Sequence, residues 1–367
     1  MADRVTADIA IAWDQWVVRA LGGRPWPASF IIAALAMASY WLSGWLLGVY
    51  GTDLTPADHD DLTRTLGLDP FAWAATVTSL LAGYALTVVS YGLVAQRREL
   101  PETAAMLGVD PAWLERDWLE ALRRGARGGR IWGVSGYVLG AAIILYSTPG
   151  ARELFGLEGR FDRPPPDFMM PAAIWFLVVT PFLFYLLAKG VHFTIHQARY
   201  FGRLRRQYLQ PDLFNPDKLK PVSRAALRGS LMWVIGSTIG SLFFLSEEIE
   251  RSALAPFFAG IVAIAVATLA APLLGVHRKL VAEKARALKY ARAVMARCWD
   301  ELRAAGNDAQ ALARMGGLLA LEARIENARE WPIDFSTLGR FGLYLAIPLA
   351  SWIGGALMER VVDAAIG

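Results

Sequence analysis

Long apolar windows alternate along this chain with charged connectors that keep a helical pattern. Seven windows reach the length of a bilayer-crossing helix, about 20 residues, or ~17 for a short one. They are 28–50, 71–95, 131–147, 171–195, 230–246, 257–276 and 341–358. Pro27, Pro70, Pro171 and Pro256 sit in the first turns of windows one, two, four and six. A proline there forfeits no intrahelical bond and presets φ. Residues 4–21 place Ile9, Trp13, Trp16, Val17 and Leu21 at helical spacing. That spacing predicts an amphipathic helix lying at the interface, either an anchor or a lateral gate that senses lipid.

The last quarter organises the rest. Helical pattern continues past window six, without Pro or Gly, from His277 to Ala305. Val281, Leu288, Met295 and Leu302 recur there every seven residues, the spacing of a seam that faces a partner helix. Gly306-Asn307 breaks the helix and Asp308 caps a return helix with Met315, Leu318, Leu321, Ile325 and Ala328 on one face. Trp331-Pro332 stops it, and Ser336 caps the final window. Window four also runs on, from Lys189 through His196 to about Leu209, and the connector 96–130 reads helical between Glu102 and Ala126, with Asp110-Pro111 as cap and first residue. The expected fold is an all-α integral membrane protein with seven transmembrane helices. Its parts are an interfacial helix (1–27), a six-span bundle (28–276), a cytosolic helical hairpin (277–335) and a final span (336–367).

Composition agrees: 55% of the residues are apolar and only 19% are charged. Charge then sets the expected orientation, since Lys and Arg resist translocation. Connectors 1–27, 96–130, 196–229 and 277–340 hold 30 of the 37 Lys and Arg, and those on the other side hold 6. The N-terminus is therefore expected in the cytosol and the C-terminus outside, in the plasma (inner) membrane of a prokaryote. The net charge of +4 is read as this asymmetry, with the basic connectors meeting anionic lipid headgroups and no nucleic acid. Residues 1–27, with Asp3, Asp8 and Asp14, lack the pattern of a cleavable signal. The outer loop with Asp53, Asp58, Asp60, Asp61 and Asp69 reads as solvated, or as a cation-gathering mouth in an oligomer.

Candidate chemistry is sparse. One cysteine, Cys298, excludes an intrachain disulfide and a Cys-based zinc site. No HExxH, nucleophile elbow or phosphate-binding glycine loop occurs, so no enzyme, metal or cofactor is expected. Lys189, His192 and His196 share one face of window four. They read as headgroup contacts, as a polar lining to a cytosolic portal, or as metal ligands. Gly44/Gly48, Gly136/Gly140 and Gly236/Gly240 are GxxxG pairs that let helices approach within or between subunits. In the final window Arg340, Tyr344, Pro348, Ser351, Gly355 and Glu359 form one small or polar stripe. A pore lining at Tyr344, Ser351, Gly355 and Glu359, with a hinge at Pro348 and Gly354, explains it; a tightly packed central helix does too.

The seven-span pattern, short outer loops, inner loops built from extensions of spans four and six, and a terminal last span resemble the insect gustatory and olfactory receptor-like channel superfamily. The resemblance implies a homotetramer anchored between subunits by the cytosolic extensions, so that the Val281-Leu288-Met295-Leu302 seam serves assembly and the last span lines the pore. The superfamily's Thr-Tyr pair followed by Gln-Phe does not occur in the last span here; Tyr344 and Ser351 are its loose counterparts. The stretch from Gly275-Val276-His277-Arg278 through Glu283-Lys284 to Trp331-Pro332 also looks like a group of uncharacterised prokaryotic multi-span membrane proteins. The expected function is a homo-oligomeric, ligand- or membrane-responsive ion channel. The alternatives are a monomeric or dimeric transporter of an apolar or amphipathic solute, and a membrane scaffold or signalling module.

Overall fold

A computed structural model describes residues 13–46, 70–147, 169–245, 254–305, 309–333 and 338–346. Every regular element among them is helical. They are α1 (Trp13–Ala20), α2 (Pro25–Leu46), α3 (Pro70–Leu107), α4 (Pro111–Ser147), α5 (Met169–Tyr208), α6 (Lys220–Ser241), α7 (Leu254–Ala305) and α8 (Ala309–Glu326), with a further run α9 over 338–346. Short 3₁₀ turns, Pro216–Leu219 and Leu242–Leu245, flank α6. Helices α2 to α7 are six elements long and apolar enough to cross a membrane. Of the seventh window, 341–358, only 341–346 lies within the described residues.

Helix α3 is the hub. Its apolar window is 72% buried, against 22–28% for the other five. It packs on α2, α5, α6, α1 and α4. Phe30, Leu35 and Trp45 of α2 and Ile131, Val134 and Val138 of α4 are exposed, an apolar surface of the kind that meets lipid or a partner chain.

The connector 96–130 is two helix ends and a tight turn. Helix α3 passes through Pro101 to Leu107 instead of ending near 95. Gly108 then takes φ 68°, the left-handed conformation open to glycine. Its N–H donates to the Ala105 carbonyl (3.3 Å) and that of Val109 to Ala104 (3.1 Å), a Schellman close. Asp110 caps α4, its Oδ2 accepting from the Trp113 N–H at 3.0 Å. The expected cap and first helical residue are as read; the 102–107 part belongs to the second spanning helix and the rest to the third.

At about 1.5 Å per residue, the 52 residues of α7 and the 40 of α5 exceed a hydrocarbon core of roughly 30 Å. The excess of α3, α4, α5 and α7 gathers at one end, around a core of Leu100, Leu114, Trp118, Leu204, Leu219 and Leu280. Tyr200 donates to Asp117 Oδ2 (2.8 Å), and Lys279 Nζ donates to the carbonyls of Arg205, Arg206 and Leu209, closing the C-terminal turn of α5. Most of the basic residues lie in this layer, so it is called the basic end below.

The two helices of the hairpin pack on each other. Leu280, Ala291 and Cys298 are the buried line of α7. Leu288, Met295 and Leu302 are half-buried beside it, within a single chain, and Val281 is 38% exposed. On α8, Ile325 is buried and Met315 and Leu318 are half-buried, but Leu321 is exposed. Glu322 takes the inward place, because Arg292 of α7 reaches it at 2.6 Å and Glu326 at 3.0 Å. Helix α8 ends at Glu326, five positions before Trp331, whose ring stacks on His277 at 4.2 Å. Residues 306–308 and 334–337, with the expected break and cap, lie outside the described residues.

Candidate functional site: a cleft between α3, α6 and α9

Helical spacing puts Tyr84, Val88 and Tyr91 on one face of α3, and Glu99 and Glu102 continue it towards the basic end. Helix α6 answers with Arg224, Arg228, Leu231 and Ile235. Where the faces meet near the basic end they are pinned by charge. Arg228 makes a two-pronged bond to Glu99 (2.9 and 2.7 Å), with both side chains under 20% exposed. Arg224 pairs with Glu102 one turn on. Further along, Tyr84 donates its hydroxyl to the Met232 carbonyl, and a Cβ on Gly236 would lie 3.0 Å from the Tyr84 ring. The helices approach closely at Gly236 and separate between these anchors.

Two cavities occupy that separation. One, of about 630 Å³, opens at the basic end and is lined by Glu102, Lys220, Arg224 and Arg340 among others. The second, of about 250 Å³, lies deeper between Trp26, Tyr91, Leu231, Ile235 and Tyr344. They share Arg224 and Leu227, so the pair forms one cleft with a charged mouth and an apolar, aromatic floor. The Trp26 and Tyr91 rings, 5.6 Å apart, bound the floor.

The cations of the mouth differ in commitment. Lys218 is paired with Asp212 (3.0 Å), Lys220 with Asp217 (3.0 Å) and Arg224 with Glu102. The bond from Lys218, helped by the Phe214 N–H, holds the Asp212 carboxyl below the usual carboxylate range. Arg340, which is exposed, carries neither an ion pair nor a hydrogen bond among the described residues.

Both described members of the final-span stripe, Arg340 and Tyr344, line this cleft one turn apart. Phe341 beside them is buried in the basic-end core, while Leu338 and Leu343 point outward. Pro348, Ser351, Gly354, Gly355 and Glu359 lie outside the described residues.

Lys189, His192 and His196 do share a face, and it is half-buried against α4. A Cβ on Gly128 would stand 2.6 Å from the His192 ring, and one on Gly125 3.0 Å from that of His196. His192 Nε2 also lies 3.1 Å from the Gly125 carbonyl, and the two histidine rings are 6.0 Å apart. These residues are set into a glycine-surfaced helix contact, away from the cleft. That contact continues through Gly133, Gly136 and Gly140. Of the GxxxG pairs, Gly136/Gly140 therefore packs within the subunit. No group of three or more His, Cys, Asp or Glu able to hold a metal ion occurs among the described residues.

The α3–α6 face was not singled out from the sequence. Its signal was present: Glu99 and Glu102 three apart, Arg224 and Arg228 four apart, each pair on one helix face. The partners lie 122 and 129 residues apart, so spacing alone did not join them. The chain matches no protein-family model, no curated protein and no solved structure.

Proposed function

We propose that this is a membrane transport protein whose solute site is the cleft between α3, α6 and the last helix. One observation carries the reading. The first two residues of the final-span stripe face two adjoining cavities inside a single subunit, charged at the mouth and apolar below. Such a gradient suits an amphipathic solute: its head meets the charges while its tail displaces poorly satisfied water from the floor. With the basic end on the cytosolic side, as the distribution of Lys and Arg favours, the cleft opens to the cytosol and to the inner leaflet of a plasma membrane.

The test is transbilayer movement of NBD-labelled amphiphiles with cationic, zwitterionic and anionic heads, followed by dithionite quenching in proteoliposomes of the full chain. At least one label is expected to move faster than in protein-free vesicles. Leu231→Trp, which narrows the floor, is expected to remove the increment. Movement unaltered by L231W, in protein that elutes like the wild type, would sink the transport reading.

A second reading, the homo-oligomeric channel, a tetramer if the resemblance holds, is favoured by the hairpin. Tyr290 and Trp299 of α7 are 70% and 52% exposed beyond the apolar part of that helix, where a second copy would cover them. Cation conductance in planar bilayers that is unaffected by L231W but reduced by Glu359→Lys would favour it.

A further inference from the structure

We infer that the cleft selects amphiphiles with an acidic head, a phosphate or carboxylate, and that Arg340 is the residue that receives it. This rests on the reading of the cleft as the solute site and names the class of solute it takes. Four cations line or edge the mouth, and three are neutralised in place: Lys218 by Asp212, Lys220 by Asp217 and Arg224 by Glu102. Arg340 alone of the four lacks an anionic partner among the described residues, and it lines the same 630 Å³ cavity as Arg224. A guanidinium at the edge of a concave space, with no anion of its own among the described residues, is strongly served by a carboxylate or phosphate. The guanidinium fork binds both bidentately. Glu102 is already taken by Arg224, so a cationic head entering there would find no free carboxylate and would meet Arg224 and Arg340 together.

The depth of the cleft argues for an amphiphile over a free oxyanion. Tyr344 stands one helical turn beyond Arg340 and lines the deeper cavity with Trp26, Tyr91, Leu231 and Ile235. A head at Arg340 therefore directs its tail along α9 onto that floor. A free anion gains nothing from those side chains. A tail gains about 0.8 kcal/mol per buried methylene, or roughly fourfold in affinity for each one.

The probe is octyl phosphate, titrated below its micellar concentration into the full chain in zwitterionic nanodiscs and followed by calorimetry. Saturable binding is expected. Arg340→Gln should weaken it at least about tenfold, the usual worth of a hydrogen bond to a charged group. R340Q disturbs no described contact, so loss of fold is not its expected effect. Leu231→Trp should also weaken binding, and Lys289→Gln on the outer face of the hairpin should leave it unchanged. Octyl trimethylammonium should not compete. Inorganic phosphate binding as tightly as octyl phosphate would overturn the inference, as would equal affinity in wild type and R340Q. Phosphatidylglycerol added to the nanodiscs separates two sources of the same chemistry: competition identifies a bilayer lipid, and its absence a soluble amphiphile. Movement of labelled amphiphiles without saturable octyl phosphate binding overturns this inference and leaves transport standing. Binding without movement of any label does the reverse.

Discussion

Replacing Gly136 by alanine is a severe test of how α4 and α5 are held together. The added Cβ would stand 2.4 Å from the Phe184 carbonyl oxygen and 2.5 Å from the Ala188 Cβ. The first of these is backbone, so no rotamer change relieves it. Ordinary contact begins near 3.4 Å; the helices must therefore separate locally by about an ångström. A gap of that size forfeits roughly a quarter to a half of each contact's dispersion energy, and overpacking of this kind costs about 1–3 kcal/mol. Alanine returns some 0.5–1 kcal/mol through its better helix propensity. The net expectation is a loss of ~1–2 kcal/mol. Gly317 of α8 meets nothing within 4 Å of an added Cβ and serves as the opposite case. There alanine should stabilise by about 0.5–1 kcal/mol. Both are measured by reversible unfolding in mixed micelles with increasing dodecyl sulfate, followed by tryptophan fluorescence for G136A and by hairpin hydrogen exchange for G317A. A G136A protein as stable as the wild type, or more so, would refute the close approach of α4 and α5.

Two further outcomes test the basic end. Breaking the Glu99–Arg228 pair by E99Q or R228Q should each destabilise by about 1–3 kcal/mol, below the fully buried case because both groups keep some solvent. The double mutant should recover part of that loss, and strictly additive losses would show that the two do not interact. At the root of the hairpin, the Lys284 ammonium bonded at 2.9 Å holds the Glu330 carboxyl below the usual range. A depressed carboxylate contributes stability above its unfolded value and loses it as pH falls through the folded one. Amide exchange over 326–333 should therefore speed up as pH drops from the ordinary Glu range downwards, after correction for intrinsic rates, and K284M should remove that dependence. An equal pH dependence in K284M would refute the assignment.

The spanning helices were legible because each needs an apolar run that nothing else in the chain explains, and first-turn prolines fixed where they begin. Pro70 opens α3, while Pro27, Pro171 and Pro256 fall at the third position of α2, α5 and α7. The Asp110-Pro111 start of α4 was legible for the same local reason. The faces of the hairpin were legible only in part. The buried Ala291 and Cys298 lie three residues after Leu288 and Met295, on the same side of α7 as that half-buried pair, and only Leu280 and the exposed Val281 depart from the heptad by one position. Alanine and cysteine carry too little apolar weight to mark a seam, yet small residues are what a close helix pair needs. Leu321 was read inward on hydrophobicity, but Arg292 across the pair makes Glu322 the better inward residue.

The same limit explains the site. A sequence shows which residues share a helix face; it does not show which helix that face will meet. The stripe on the final span left two readings open, a pore lining or a packed central helix. Among the described residues the central place is taken by α3, which buries Ser79, Thr87 and Ser90 in the heart of the bundle. The helix over 338–346 instead sits at the bundle's edge, held by Phe341 and Leu345 and open at Leu338 and Leu343. Phe341 and Leu345 set that helix on the core, and Tyr344 turns to the cleft beside them, whereas α3 is enclosed by its neighbours. Arg340 and Tyr344 stand one turn apart on that helix, one at the charged mouth and one at the apolar floor. Motion of that helix would then couple the charged mouth to the apolar floor in a single displacement.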